Sequence, residues 1–426
     1  MGLKRLTAVA ALALTASAAQ AQAAPGGYGA RVAHLLKTVP LIDGHNDWAD
    51  TLRTRAGEAP WTIDLHRLPT GKEGYNTDIE RLRRGMIGGQ FWSVYVDASL
   101  PGPVQVKQTL EQIALVRDFA RRYPTTFEMA RTAADVRRIH ANGRIASLLG
   151  VEGGGQIDGS LGVLRAYRDL GVGYLTLTHV RNIEWADSAT DDPKHGGLTP
   201  FGGEVVRELN RLGVLVDLSH VAETTMRDAL RLSAAPVIFS HSSARGLVDH
   251  PRNVSDEVLK LVAANGGVVM VNFAPFYVSD SYRRWAADEA AETSRMNSPP
   301  FNGLYIGQPD KAADAVAAWR KANPPPPVTL AMVADHIEHI AQVAGRDHVG
   351  IGSDFDGVGS VLPTGLQDVS TYPALLAELM RRGWTDEDVG KLAGGNVLRV
   401  MEQAEKVSLT LTGQGASAPH PQKRSR

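Results

Sequence analysis

Histidine and acidic residues stand at or near the ends of short apolar runs in this chain. The residues of this kind are His45, Asp47, Glu152, His179, His220, His241 and Asp354. Imidazole and carboxylate groups are the usual protein ligands of zinc and similar divalent ions. Two such ions about 3.5–4 Å apart can share one water molecule and lower its pKa to about 7. The residue types therefore predict a binuclear metal centre that supports hydrolysis, with a carboxylate such as Glu152 bridging the ions.

Parallel strands are predicted to carry these residues. Eight apolar runs rich in Val, Ile, Leu or aromatic residues cover residues 39–47, 88–96, 146–153, 174–179, 215–220, 236–241, 266–273 and 348–354. The segments between these runs have apolar residues at helical spacing, for example at 104–122, 203–212 and 332–344. Eightfold alternation of strand and helix favours a closed (β/α)₈ barrel, in which the carboxyl ends of all strands meet at one face.

An open, doubly wound sheet is the alternative fold. It has less support, because no glycine-rich dinucleotide fingerprint follows the first strand. Within the barrel hypothesis, His45 and Asp47 are two residues apart, so both are expected on the same side of an extended strand. The remaining ligand candidates come singly from other strands, so barrel closure must bring them together. His336 and His339, three residues apart on a predicted helix, are interpreted as surface or helix-packing residues, and His34, His66, His140, His195, His250, His348 and His420 are interpreted in the same way.

Composition limits the classes of partner. The 426 residues include 45 Lys and Arg and 46 Asp and Glu, a net charge of -1, which argues against binding to nucleic acid or anionic lipid. A small neutral or zwitterionic substrate is expected. The chain has no cysteine, so stability must come from core packing and bound metal.

The chain divides into four predicted segments. Residues 1–23 resemble a cleavable signal peptide, with Lys4 and Arg5 before an apolar run and small residues at the cleavage site, which predicts a secreted or periplasmic protein. Residues 24–30 are expected to form a linker, 31–405 the catalytic barrel and 406–426 a flexible tail. A proline-rich insertion at about 279–327 is expected to be a lid or binding element. No later apolar run is long enough to span a membrane.

Several motifs taken together resemble the membrane (renal-type) dipeptidase family of zinc enzymes. They extend over residues 35–405 and include the stretches Leu41–Asp47, Gly88–Tyr95, Gly150–Gly153, Leu175–His179, Val216–His220, Phe239–Ser243, Arg252–Asn253 and Gly352–Gly357. The resemblance implies a barrel fold, dipeptide substrates and a homodimer. The disulfides and the lipid anchor of the animal members are not expected in this protein, because the sequence has no cysteine and shows no lipid-anchor signal. Members also accept a D-residue on the C-terminal side and open β-lactams, and the sequence leaves both activities open.

The resemblance also implies roles for individual residues. One zinc ion would be held by His45 and Asp47 and a second by His220 and His241, with Glu152 and a hydroxide between them. His179 would contact the substrate and stabilise the tetrahedral intermediate. Arg252 would pair with the substrate's carboxylate, which a guanidinium matches with two hydrogen bonds. Asp354 would carry a proton to the leaving amine, and Asp356 is a weaker candidate for that task.

Two other functions remain open from the residues. The first is another amidohydrolase on the same barrel, but such enzymes often carry His-x-His on the first strand and a carboxylated lysine, whereas this chain has His45-Asn46-Asp47 and Glu152. The second is a non-catalytic periplasmic metal-binding protein. Asp354 and Arg252 argue against it, because neither is needed to hold metal.

Overall fold

Eight parallel strands form a closed barrel in the computed structural model, which describes residues 27–416 except 58, 72, 73 and 360. The described residues include nine strands, and all except β3 belong to the barrel: β1 Leu41–Asn46, β2 Ile87–Tyr95, β3 Phe127–Met129, β4 Ile145–Glu152, β5 Val172–Thr176, β6 Leu215–Asp217, β7 Ile238–Phe239, β8 Val268–Val271 and β9 Val349–Ile351. Around the barrel their order is β1, β2, β4, β5, β6, β7, β8 and β9, and β9 pairs with β1. The barrel prediction is confirmed, and the open sheet is wrong.

Each of the eight predicted runs overlaps one barrel strand. β2, β4 and β5 begin one or two residues before their runs, and the other five strands are shorter than theirs. β6 ends at Asp217 and β7 at Phe239, before the chain reaches His220 and His241. The short strand β3 was not predicted. It pairs in parallel with the first residues of β4 and lies outside the ring of eight.

Helices surround the barrel. They are α1 Gly27–Leu35, α2 Trp48–Ala56, α3 Ile79–Arg84, α4 Gly102–Arg122, α5 Ala133–Ala141, α6 Leu161–Leu170, α7 Pro200–Leu212, α8 Glu223–Leu232, α9 Asp256–Asn265, α10 Pro275–Val278, α11 Asp280–Met296, α12 Pro309–Ala322, α13 Leu330–Ala344, α14 Tyr372–Arg381, α15 Asp386–Gly390 and α16 Asn396–Ala416. The three helices predicted from periodicity correspond to α4, α7 and α13. A glycine follows both α7 and α13, as expected for a residue that ends a helix.

Buried apolar side chains form two clusters. The larger one packs the strands against the surrounding helices. The second fills the barrel interior with residues such as Phe91, Tyr174 and Met270, and residues of α16 cover it. Gly150 of β4 is required in this interior, because a Cβ atom there would overlap the ring of Tyr174. Because Gly150 has no side chain, Tyr174 can extend to the predicted ligand His45.

The insertion is a helical hairpin. α11 and α12 pack together through the rings of Trp285 and Trp319, whose centroids are 6.1 Å apart. The Trp285 indole N–H also donates to the carbonyl of Asn323 at 2.8 Å. The segment expected to be a lid or binding element is therefore mostly regular structure with its own packing.

Both ends of the barrel domain differ from the predicted boundaries. α1 begins at Gly27, inside the predicted linker 24–30, and α16 continues to Ala416, inside the predicted tail 406–426. Val407 packs against the second apolar cluster, and the Ser408 hydroxyl donates to the Arg211 carbonyl at 2.7 Å, which explains why the helix continues. The predicted signal peptide at 1–23 and the end of the predicted tail lie outside the described residues. Among the described helices, none combines the length and apolar character needed to cross a bilayer.

Candidate active site

Glu152, the last residue of β4, is the centre of a compact cluster of histidine and acidic side chains. Its Oε2 atom lies 3.4 Å from His45 Nε2. Its Oε1 atom lies 3.0 Å from His220 Nε2 and 3.4 Å from His241 Nε2. His45 Nε2 in turn lies 3.3 Å from Asp47 Oδ2, and the Nε2 atoms of His220 and His241 are 2.8 Å apart. Barrel closure thus brings five of the predicted site residues into one cluster.

The local backbone directs these side chains in different ways. His45 lies within β1, but Asp47 precedes α2 with φ -94° and ψ 21°, so the expected extended His-x-Asp arrangement is wrong. The two side chains converge because the chain turns into the helix. His220 and Asp354 both have left-handed backbone conformations, with φ of 70° and 65°. Such conformations are costly for non-glycine residues and cluster at functional sites.

The donor atoms form three overlapping groups, each able to surround one cation. The groups are His45 with Asp47 and Glu152, Glu152 with His220 and His241, and His45 with His241 and Asp354, and the donor atoms within each group lie within 4.8 Å of one another. All donors are imidazole nitrogens or carboxylate oxygens, the set that zinc prefers. The buried Nε2 atom of His45 has no hydrogen-bond partner, and a metal ion would satisfy it through a coordination bond. The residues present therefore fit a metal centre.

Electrostatic effects keep Glu152 and His220 in the form that binds metal. Burial raises the pKa of Glu152, but His45, His179 and His220 lower it, so this pKa lies well below its ordinary value. Burial and the charge of Arg252 hold the pKa of His220 well below its ordinary value. The carboxyl group is therefore ionised and this imidazole neutral.

His45 differs from the other histidines. Burial lowers its pKa, but Tyr174, Glu152 and Asp47 outweigh burial and place the pKa well above the ordinary value. Its surroundings therefore stabilise a positive charge at this point, carried by a proton or by a metal ion.

Asp354, three residues after β9, faces the same cluster. Its Oδ2 atom accepts a hydrogen bond from the side-chain amide of Asn272 at 2.8 Å. Burial is the main cause that raises the pKa of Asp354 to about 8, with further contributions from Asp47 and Glu152. A carboxyl group with such a pKa can take up and release a proton near neutral pH. Asp356 also borders the cavity, but its Oδ1 atom accepts the backbone N–H of Asn76 at 2.8 Å, and this contact ties it to a neighbouring loop.

Arg252 reaches the site from a loop and brings a buried positive charge. Its side chain is 2% exposed. One terminal nitrogen donates to the Ser242 hydroxyl at 3.2 Å and the other to the His241 carbonyl at 3.3 Å, while Nε has no partner. Among the described residues, no carboxylate forms an ion pair with it. A buried guanidinium without a counter-ion is costly, so the site favours a ligand that carries negative charge.

These groups border one cavity of about 280 Å³. Its lining consists of Asp47, Asp50, Tyr95, Glu152, His179, Val180, His220, His241, Arg252, Phe276, Tyr277, Asp354, Asp356, Gly357 and Val358. His179 lies on the wall, with its Nε2 atom 3.8 Å from Glu152 Oε1, and it belongs to none of the three donor groups. None of the lining residues comes from the insertion at 279–327. A larger groove of about 850 Å³ beside α2 and α4 contains none of the donor residues.

Comparison with known proteins decides the family. The family model described as membrane dipeptidase, peptidase family M19, matches residues 29–415. The chain belongs to the membrane dipeptidase family. A dipeptidase from Clonostachys rogersoniana, verJ, is 39% identical over 400 residues, which cover 91% of this chain and 89% of that protein.

Two solved structures support this membership. The probable dipeptidase PvdM from Pseudomonas aeruginosa has a TM-score of 0.75 at 26% identity, covering 89% of this chain and 99% of that one. A metallopeptidase from Rhodobacter sphaeroides, solved with a phosphinate mimic of the dipeptide L-Ala-D-Ala, has a TM-score of 0.68 at 26% identity, covering 86% and 99%. The chain is therefore a metallo-dipeptidase.

Three residues of the dipeptidase's site were missed by the sequence analysis. Asn272, which binds Asp354, directly follows β8, and its polar side chain within an apolar run was a usable signal. Tyr277 lies with its ring 5.3 Å from the Arg252 guanidinium carbon, and His250 accepts the Arg252 backbone N–H at 3.1 Å. His250 was interpreted as a surface or helix-packing residue, and the structure shows that it contacts the backbone of Arg252. Neither Tyr277 nor His250 ends a strand, so the strand-end pattern gave no sign of them.

Proposed function

We propose that this dipeptidase uses two zinc ions to hydrolyse dipeptides that carry a free C-terminal carboxylate. The observation that carries the proposal is the shared position of Glu152 in two donor groups, one on each side of its carboxylate. A single carboxylate between two donor sets is the arrangement expected for a pair of bridged ions.

Two sets of ligands follow from this arrangement. His45 and Asp47 would hold one ion on the Oε2 side of Glu152, and His220 and His241 would hold the other on the Oε1 side. When bound, the two ions lower the pKa of a shared water molecule and polarise the scissile carbonyl group.

Arg252 is proposed to bind the substrate's carboxylate. Its guanidinium is buried, lacks a counter-ion among the described residues and borders the same cavity as the donors. A free dipeptide has its carboxylate two bonds from the leaving nitrogen, so an arginine beside the metal donors would hold it with the scissile peptide bond near those donors. A charge-assisted, two-pronged contact of this kind also fixes orientation.

Asp354 and His179 are proposed to serve the bond-breaking step. An amine leaves only when protonated, and Asp354, with a pKa raised to about 8, can carry that proton. The Asn272 amide fixes the Asp354 carboxyl from one side and leaves the other oxygen for the reaction. His179 faces the cavity as a non-ligand and can donate an N–H to the oxyanion of the tetrahedral intermediate.

The cavity favours short substrates. Its volume of about 280 Å³ lies just below the usual range of roughly 300–1,000 Å³ for small-molecule sites. The Rhodobacter sphaeroides relative binds a mimic of L-Ala-D-Ala. We propose on this basis that the enzyme accepts small dipeptides with either an L- or a D-residue at the C-terminal position.

Export and dimer formation belong to the same proposal. The sequence of residues 1–23 supports export through a cleavable signal peptide, and family resemblance supports a homodimer. Because the chain contains no cysteine, its folding does not depend on the redox state of the compartment, and this is compatible with export.

The decisive experiment combines metal stoichiometry with kinetics on a panel of Xaa-L and Xaa-D dipeptides. We expect two zinc ions per chain, turnover that a chelator abolishes, and recovery on zinc addition. Metal uptake without turnover would support the metal-binding alternative instead. Turnover of other amides but not of dipeptides would support a different amidohydrolase.

A further inference from the structure

Ser240 stands between a buried carboxylate and a proposed metal ligand. Its hydroxyl oxygen lies 2.6 Å from Asp217 Oδ2 on one side and 2.8 Å from His241 Nδ1 on the other. All three residues are buried, each with at most 1% of its surface exposed. The three side chains form a chain from the barrel wall to the Nε2 atom that faces the cavity.

Asp217 accepts hydrogen bonds at both of its oxygens. Oδ1 accepts the backbone N–H groups of Ser219 at 3.1 Å and Ser240 at 2.8 Å. Oδ2 accepts the hydroxyls of Thr176 at 2.5 Å and Ser240 at 2.6 Å. Such short O–H···O contacts are typical of an ionised acceptor. The single hydroxyl proton of Ser240 is therefore directed at Asp217.

The direction of the Ser240 O–H bond determines whether a proton or a lone pair of the hydroxyl faces His241. With its proton committed to Asp217, the hydroxyl presents only a lone pair to Nδ1, so Nδ1 must be the nitrogen that carries the imidazole proton. We propose that Ser240, held by Asp217, is a positioning residue that keeps the His241 proton on Nδ1 and aims an unprotonated Nε2 at the metal site. The inference rests on the proposed metal centre and adds to it a pair of residues that touch neither metal nor substrate.

The other proposed metal site has a comparable contact. The Tyr174 hydroxyl lies 2.9 Å from His45 Nδ1 and donates to the Gly44 carbonyl at 3.3 Å. It too can accept the Nδ1 proton and leave Nε2 free. Metal-bound histidines commonly have such a partner at the second nitrogen, and removal of the partner typically lowers metal affinity 10- to 100-fold.

The first test uses the unmodified holoenzyme. Long-range ¹H–¹⁵N correlation spectra of zinc-loaded enzyme labelled with ¹⁵N-histidine should show His241 protonated at Nδ1, with a slowly exchanging proton. The signal is identified by its loss in His241→Asn. Zinc bound through Nδ1, or an Nδ1 proton that exchanges freely with water, would overturn the proposal without reference to any Ser240 variant.

The second test compares Ser240→Ala with Thr176→Val. Both variants remove one hydroxyl from Asp217 Oδ2, but only the first removes the acceptor of the His241 proton. We expect Ser240→Ala to bind one of two zinc ions 10- to 100-fold more weakly in a chelator competition, while Thr176→Val retains the wild-type affinity. Equal losses in both variants, or none in Ser240→Ala, would refute the role of Ser240. Absence of zinc from the wild-type enzyme would instead refute the proposed function.

Discussion

Ser353 donates two hydrogen bonds to Asp43, from its backbone N–H to Oδ1 at 2.8 Å and from its hydroxyl to Oδ2 at 2.7 Å. The same pair of contacts joins Ser240 to Asp217, at 2.8 Å and 2.6 Å. In both cases the aspartate lies on one barrel strand, the serine follows the neighbouring strand, and the next residue is functional: Asp354 after Ser353, and His241 after Ser240. At the carboxyl ends of two strands, a buried aspartate–serine pair thus fixes the backbone directly before a site residue, and so fixes the direction of that residue's side chain.

The first prediction concerns Ser353→Ala. Loss of the hydroxyl removes the bond to Asp43 and leaves the Phe355 N–H, which it accepts at 3.2 Å, without a partner. Misplacement of a catalytic group by about 1 Å can cost roughly 100-fold in rate. Because the Asp354 carboxyl group would no longer be held in position, we expect kcat to fall about 10- to 100-fold. Tyr372→Phe is the control, because it removes another hydroxyl from the same Asp43 oxygen. Steady-state kinetics that show equal kcat values for the two variants would contradict the prediction.

The second prediction concerns the proton carrier. Asp354→Asn keeps the shape of the side chain but cannot carry the proton, so we expect kcat to fall by about 10²- to 10⁴-fold, the usual contribution of general acid–base catalysis. Zinc content, measured by mass spectrometry of the purified protein, should stay at two ions per chain. Wild-type turnover of dipeptides by this variant would rule out the assignment.

The third prediction concerns Arg252. A charge-assisted hydrogen bond contributes about 1.5–3 kcal/mol, so Arg252→Ala should raise KM for free dipeptides by roughly 10- to 100-fold. C-terminally amidated dipeptides, which lack the carboxylate, should show little change between the two enzymes. Arg252→Lys is the control that keeps the charge without the forked geometry, and it should recover only part of the loss. Equal effects on free and amidated substrates would show that Arg252 acts structurally.

The fourth prediction concerns Gly357, whose backbone passes close to the site. A Cβ atom at this position would lie 2.5 Å from Asp354 Oδ1 and would overlap Asp47 Oδ2. Gly357→Ala should therefore displace one of these carboxylates and lower both kcat and zinc content, while the melting temperature of the metal-free protein changes little because the residue is exposed. The exposed Gly162→Ala, where a new Cβ meets only ordinary contacts, is the matched control. Full activity of Gly357→Ala would indicate that the loop moves away at no cost.

The fifth prediction concerns metal removal. An ion that binds only the folded state stabilises it by about 4.1 kcal/mol when its free concentration is 1,000 times Kd. Chelation should therefore lower the melting temperature by about 5 °C per tightly bound ion for a domain of this size. Differential scanning calorimetry with and without chelator measures this shift, and zinc addition should reverse it. An unchanged melting temperature would mean that metal binding is too weak to serve as the permanent centre proposed here.

The sequence alone determined the parallel barrel and the kinds of residue at its functional end. Continuous apolar runs separated by helical patterns specify parallel strands covered on both faces, and the carboxyl ends of such strands must share one face. For that reason His45, Glu152 and Asp354 could be assigned to one site although they are far apart in the chain. These are consequences of local pattern and of a general property of the fold.

The tertiary structure decided what depends on directions within loops and on packing between distant segments. Arg252 was expected at the site only through family resemblance, and Tyr277 and His250 were not expected, because a loop residue's direction depends on the surfaces against which the loop folds. Asp217 and Ser240 look in sequence like any polar residues near a strand end. Their roles depend on distances of 2.6–2.8 Å between neighbouring strands, which are fixed only once the barrel closes and sets their register.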